Sequence, residues 1–303
     1  MNYAPVVLFV YNRPWHTQQT LEALIQNEFS SESDLFIFSD AARNQSDEEA
    51  VKEVRNYIHK LKGFHEITIE ERSINYGLAK SIISGVTEVL QKRDSVIVLE
   101  DDIFPSPGFL KYMNDSLKLY QNESEVGCIH AWNYNLNTSN YNDSTFFLKG
   151  ADCWGWATWK RGWDLFNPDG NELLKIIKNN NLEYEFNRQN THSFIKMLKE
   201  QIEGKNDSWA IRWHASLFVN DMLCLHPARP IVKNIGLDNS GVHSGVMNLK
   251  QEPVDFIEIR KIPVKESAWF FSSYSDFLGE SISTKTYLWQ KLSGFLKRLL
   301  HQS

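Results

Sequence analysis

Three adjacent carboxylates, Glu100, Asp101 and Asp102, follow directly on the apolar run Val96-Ile97-Val98-Leu99 and precede the turn Pro105-Ser106-Pro107. A strand covered on both faces reads as such a run, so the acids fall at its carboxyl end. Like charges crowded together raise their own energy unless a cation lies among them. Mg²⁺ or Mn²⁺ takes one or two protein carboxylates together with the phosphates of a substrate. The triplet therefore reads as a platform for a divalent metal and a diphosphate. Its bland counterpart is a solvated acidic turn after a buried strand, and what else converges there decides between them.

The elements around the triplet supply that convergence. Val6-Val7-Leu8-Phe9-Val10 ends at Tyr11-Asn12-Arg13-Pro14, and the polar stretch after it opens a helix with Leu21, Leu24 and Ile25 on one face. Leu35-Phe36-Ile37-Phe38 ends at Ser39-Asp40 and leads into a charged helix with Val51, Val54, Ile58 and Leu61. Ile67-Thr68-Ile69 is a third short strand, and Gly77 to Lys92 reads as a helix with Leu78, Ile82 and Val86 in register. Four alternations of strand and helix predict an α/β fold, a mostly parallel central sheet flanked by helices, whose ligands bind beyond the carboxyl ends of the strands. On that rule Arg13, Asp40, Asn75 and Glu100 to Asp102 meet in one crevice. Each also has a plain reading: Arg13 as a surface cation, Asp40 as a helix cap, Asn75 as a turn residue before Gly77.

At 303 residues and 42% hydrophobic, the chain can bury a large core. Its 32 basic and 38 acidic residues leave a net charge of −6, so no overall field draws it to nucleic acid. Cys128, Cys153 and Cys224 are three cysteines, far apart in sequence and set among apolar or aromatic neighbours. They read as reduced, buried thiols rather than as a disulfide framework or metal knuckle. A strand pattern begins at Pro5 without a signal-like segment, and no apolar run reaches the roughly 20 residues that span a bilayer; a cytoplasmic setting is expected.

The second half changes texture. Pro107 to Tyr120 reads as a helix, Val126 to His130 as a strand, and Asn133 to Ser144 as a polar loop. Trp154, Trp156, Trp159 and Trp163 then lie within ten residues. Indoles bury so much area that core is their first reading, and stacking on a sugar ring their second. Asn206-Asp207-Ser208-Trp209 opens a helix to about Val219, with Ser208 or Asp207 as N-cap. Gly236 to Gly245 is a Gly-rich polar loop of the kind that closes over a ligand. In the tail, Leu288, Trp289, Leu292, Phe295 and Leu299 share one side of a helical pattern whose other side carries Lys285, Lys291, Lys297 and Arg298. A basic amphipathic helix at a membrane surface has this form, as does a helix docked on its own domain.

Taken together, Tyr11-Asn12-Arg13-Pro14, Ser39-Asp40, Asn75-Tyr76-Gly77-Leu78-Ala79 and Val98-Leu99-Glu100-Asp101-Asp102 resemble the GT-A nucleotide-sugar glycosyltransferases, and the Asn-x-Gly form is similar to bacterial family 2. Glu100-Asp101-Asp102 with Pro107-Gly108-Phe109, Ala131-Trp132-Asn133, and Gly241-Val242-His243-Ser244-Gly245 extend the resemblance to the group typified by N-acetylglucosaminyltransferase I. It implies a GT-A catalytic domain over 1–245, with a nucleotide-binding half at 1–125 and an acceptor-binding half at 126–245, then an extension over 246–303 holding the amphipathic helix at 285–300. It implies that Arg13, Asp40 and Asn75 contact the nucleotide, that Glu100 and Asp101 lie near ribose and sugar, that Asp102 binds Mn²⁺ or Mg²⁺, and that His243 belongs to a late ligand-binding loop. Asn75 stands where the group has histidine. Of the acidic pair that supplies the group's catalytic base before a tryptophan, Asp207 remains and Ser208 adjoins Trp209; Asp152 is the reserve.

The activity so implied is metal-dependent, inverting transfer of a hexosyl or N-acetylhexosaminyl group. The donor is a nucleotide-diphosphate sugar, foremost a UDP-sugar, and the acceptor a saccharide or lipid-linked saccharide, as in bacterial surface polysaccharide synthesis at the inner face of the membrane. Two other functions suit parts of the pattern. A sugar nucleotidyltransferase also uses a parallel sheet, acids and a metal, but wants glycines after the first strand, where Tyr11-Asn12-Arg13-Pro14-Trp15 has none. A non-catalytic carbohydrate-binding protein on the same fold suits the tryptophans and Ser208, and leaves the acidic triplet unexplained.

Overall fold

The computed structural model describes residues 3–134, 136, 138, 141, 143–238 and 250–280. Eight strands form one sheet: β1 (Val6–Val10), β2 (Asp34–Ser39), β3 (Glu66–Glu71), β4 (Ser95–Glu100), β6 (Val126–His130), β7 (Thr145–Lys149), β8 (Trp156–Trp159) and β9 (Leu223–Pro227). Their order is β3-β2-β1-β4-β8-β6-β9-β7. β1 pairs in parallel with β2 and β4, and β2 with β3. β8 runs antiparallel to β4 and β6, and β7 antiparallel to β9. A two-stranded antiparallel ribbon joins β5 (Ile103–Pro105) to β10 (Val232–Asn234). The expected fold class, a mostly parallel α/β sheet, is the one observed.

Alternation along the strands builds two cores. Val6, Leu8 and Val10 of β1 join Ile97 and Leu99 of β4 on one face, and Val7 and Phe9 join Val96 and Val98 on the other. α1 (Pro14–Ile25), α2 (Glu48–Ile58) and α4 (Phe109–Leu119) cover the first face, with Leu21, Leu24, Val54, Ile58 and Phe109 buried. α3 (Leu78–Leu90) and α9 (Trp209–Val219) cover the second through Ile82, Val86, Trp209 and Trp213. Pro14 suits the first position of α1, where its missing N–H costs no bond.

The tryptophan-rich stretch holds an element that the sequence pattern did not reveal. Trp156-Ala157-Thr158-Trp159 is β8, inserted between β4 and β6, and α5 (Lys160–Trp163) follows it. Trp156, Trp159 and Trp163 are core, while Trp154 is only partly buried against Trp132. α6 (Gly170–Asn179), α7 (Glu183–Phe186) and α8 (Phe194–Ile202) make a small helical layer with its own core of Leu173, Ile177, Phe186 and Leu198 against Ile211 and Ala215 of α9. α10 (Ala268–Glu280) packs Phe270 and Tyr274 on Phe146 and Leu148 of β7. The Gly241 to Gly245 loop with His243, and the tail helix expected over 285–300, lie outside the described residues.

Candidate active site

β1, β2 and β4 end side by side, and the strand order reverses between β1 and β4, which is where an open α/β sheet leaves a crevice for ligand. Arg13, just past β1, reaches across to the acids past β4. Its Nη2 donates to Asp101 Oδ1 and, at 2.9 Å, to Asp102 Oδ2. Asp101 and Asp102 are both buried, and their charges hold Arg13 firmly protonated against the cost of burial. Burial pushes the Asp101 carboxyl up, Arg13 pulls it down and Asp102 pushes it up again. Glu100, last residue of β4, is driven up by burial and by Asp102 and Asp101, with Arg13 and the Trp209 indole opposing. Repulsion among the three acids, only partly offset by one guanidinium, would be relieved by protons on them or by a further cation beside them.

The ribbon brings a second chain segment onto Asp102. Ile235 N donates to the Asp102 carbonyl at 2.9 Å, and Gly236 passes so close that a Cβ there would collide with the Asp102 carboxylate and crowd Arg13. His16 Nε2 lies 3.1 Å from Asp238 Oδ2, tying the same segment to α1. Gly236 was read from sequence as loop; its contact with the acidic triplet needed the β5–β10 ribbon, which no local pattern announced.

Asp40 is buried at the start of α3, accepting from the N–H groups of Tyr76 at 2.8 Å and Gly77 at 2.9 Å as well as from Ala41 at 3.0 Å. Gly77 has φ +73°, a conformation that suits glycine. Asn75 Nδ2 donates to Ala41 O at 2.7 Å. Both residues hold the β2 and α3 loops together: the Asp40 carboxylate binds the backbone leading into α3, and its carbonyl accepts from Arg55 Nη2 at 3.3 Å.

Asp152 accepts from the N–H groups of Cys153 at 2.7 Å and Trp154 at 3.1 Å, and burial raises its pKa. Cys153 feels the charges of Asp152, Glu100 and Asp102, which places the Asp152 turn alongside the acidic triplet. Asp207 sits elsewhere. Its side chain is 70% exposed, with Arg212 Nη2 at 3.4 Å, in a groove between α3 and α9 lined by Ala79, Lys80, Ile83 and Arg212. The N-cap of α9 is Ser208, whose Oγ accepts from Ile211 N at 3.2 Å, so Asp207 is free of that duty. Trp209 links the two places, its indole lying close enough to Glu100 to favour the charged carboxylate.

The donors on offer suit one mode of metal binding. Among the described residues the three carboxylates do not form a compact chelating cluster; the group of three that does is Cys128, His130 and Cys224. Asp102, an oxygen donor at the crevice, fits a hard cation that draws its remaining ligands from substrate phosphates. Cys128 and Cys224, read from sequence as distant thiols, are in fact opposite one another on β6 and β9.

The description of the GNT-I family matches residues 1–170. No curated protein matches the chain. Among solved structures, it is similar to residues 1–349 of S. aureus TarS in complex with UDP-GlcNAc, at 13% identity over 60% of this chain and 48% of that one, TM-score 0.36. It is also similar to the mannosyltransferase PcManGT from Pyrobaculum calidifontis in complex with GDP-Man and Mn²⁺, at 14% identity over 57% and 46%, TM-score 0.35. A UDP-glucose pyrophosphorylase complexed with UDP-glucose is similar at 14% identity over 55% and 82%, TM-score 0.31. The chain spans just under half the length of the first two.

Proposed function

The chain belongs to the GNT-I family, and from that premise we propose that it is a metal-dependent, inverting glycosyltransferase moving a hexosyl or N-acetylhexosaminyl group from a nucleotide-diphosphate sugar, foremost a UDP-sugar, to a saccharide or lipid-linked acceptor. The observation that carries this reading is Asp102: an oxygen donor at the end of β4, beside Arg13 and under Gly236, in the crevice where β1 and β4 part.

Each residue then has a task. Arg13, paired with Asp101 and Asp102, faces the diphosphate and offsets its charge. Asp40 and Asn75 hold the α3 loop against the nucleotide, while Glu100 and Asp101 border ribose and sugar. Asp102 would hold Mn²⁺ or Mg²⁺, which when bound stabilises the charge that gathers on the departing diphosphate. Asp207 takes the proton of the acceptor hydroxyl as that oxygen attacks C1, and the C1–diphosphate bond breaks on the opposite side, inverting the anomeric centre. His243 is proposed as a further donor contact on the resemblance alone. A panel of UDP-, GDP- and dTDP-sugars incubated with and without Mn²⁺ tests the reading. Metal-dependent release of nucleoside diphosphate from one donor class is expected; formation of nucleoside triphosphate and sugar 1-phosphate only when pyrophosphate is added would make the chain a nucleotidyltransferase, and no turnover of any donor a binding protein.

The tail extends the proposal to the acceptor and to bacterial surface polysaccharide assembly. No described helix is long and apolar enough to cross a membrane. Residues 285–300 supply four cations, each worth about 1 kcal/mol near an anionic surface, beside an apolar stripe, enough for a weak peripheral anchor on the inner face of the cell membrane. The full chain should sediment with anionic liposomes at low salt and release at high salt, while a chain ending near Ser281 stays in solution. Equal pelleting of both, or of neither, would mean that the segment anchors nothing.

A further inference from the structure

Two neighbouring strands repeat one tripeptide pattern, Cys128-Ile129-His130 on β6 and Cys224-Leu225-His226 on β9. Side chains alternate along a strand, so in each the cysteine and the histidine leave the same face. The strands are parallel, with Cys128 opposite Cys224 and Ile129 opposite Leu225. That register sets His130 beside His226, ring centroids 4.7 Å apart. Two thiols and two imidazoles thus form a square, its sulfur side on the face that Trp156 and Trp213 cover. All four residues are buried, and one ligand atom from each of Cys128, His130 and Cys224 lies within 4.8 Å of the others.

The imidazoles are short of partners. His130 Nδ1 and both nitrogens of His226 make no hydrogen bond; the Trp132 carbonyl is near His226 but outside bonding geometry. A buried polar group left unmade costs about 1–3 kcal/mol, and a pocket that needed bulk alone would be served better by apolar side chains. Thiolate sulfur and imidazole nitrogen are the ligands of structural zinc, bound at about 2.3 Å and about 2.0–2.1 Å in a closed tetrahedron. Two thiolates also cancel the charge of a divalent ion, so the assembled site is neutral and tolerates burial.

We propose that Cys128, Cys224 and His130 hold a structural divalent cation of the zinc class, with His226 closing the tetrahedron. On binding, the two thiols release their protons and the donors draw together, His226 having to move in from outside the 4.8 Å group of the other three. Among the described residues, the one hydrogen bond to the His130 ring is a 3.3 Å contact from Asp152 N to Nε2. Ligation through Nδ1 puts the ring proton on Nε2, so that contact yields. The site is separate from the hard-oxygen crevice at Asp102. It clamps β6 to β9 rather than serving turnover, and being enclosed it fills as the chain folds.

The test is metal content of the full chain, expressed with zinc and purified under reducing conditions. We expect about one zinc per chain retained through dialysis against EDTA, and, on refolding with Co²⁺ alone, a thiolate-to-cobalt charge-transfer band with tetrahedral d–d absorption. Cys224→Ser should lose the retained zinc, and His226→Phe should weaken retention and shift the d–d bands. Wild-type chain with no zinc and no charge-transfer band would overturn the proposal. So would two fewer titratable thiols and an intact mass lower by two hydrogens, which would show a Cys128–Cys224 disulfide. Both readings come from the unmodified protein and stand even where a variant fails to fold.

Discussion

A general base must reach its proton, stay ionised and be free of other duties. Asp207 offers access and freedom: its carboxylate is largely exposed, Arg212 Nη2 is at 3.4 Å, and Ser208 relieves it of capping α9. Asp152 does not. It is buried and engaged by two N–H groups, and burial raises its pKa. Asp207→Asn should therefore cut transfer by about 10²-fold or more while donor binding survives, as measured by steady-state transfer and donor titration. Full activity in that variant would move the role to Asp152. The acids, Arg13, Asp40 and Asn75 were all legible in the sequence because each ends a strand or flanks a turn. Gly236 and the Cys-x-His pairs were not, since their significance lies in register and close approach between distant segments.

At the scale of elements, α9 does the most positioning. Asp207 lies just before its N-cap and Trp209 opens its first turn; further along, His214 Nδ1 donates to Ala151 O at 2.9 Å, pinning the loop that presents Asp152. Burial lowers the His214 pKa from 6.5 to about 3. The unfolded chain therefore binds a proton in that range that the folded chain excludes. His214 stabilises fully above pH 6.5 and progressively less as pH falls toward 3, by about 1.4 kcal/mol per pH unit in between. Replacing His214 with Phe should flatten the acid limb of stability by about that slope, read from denaturant unfolding between pH 4 and 6; an unchanged slope would mean the ring is charged in the fold. The first four strands and their helices were legible because buried parallel strands are continuous apolar runs. β8 was hidden by its length and its indoles, which mimic a binding motif, and β7, β9 and α6 to α8 lie where apolar spacing is short and broken by polar residues.

The whole molecule is a parallel half, β1 to β4, joined across antiparallel β8 to a second half that brings α9 and the β5–β10 ribbon back over the crevice. The sequence carried the first half and the fold class plainly; the return of the chain over the acids is set by long-range pairing, which local patterns do not encode. That return makes Asp102 the meeting point of both halves. The direct measurement is calorimetric titration of UDP with Mn²⁺ into the full chain and into Asp102→Asn, a substitution of the same shape. The wild-type chain should bind UDP far more tightly with Mn²⁺ than without, and the variant, folded by circular dichroism, should lose that metal-dependent gain. Equal metal-dependent binding by both proteins would contradict the assignment of the site.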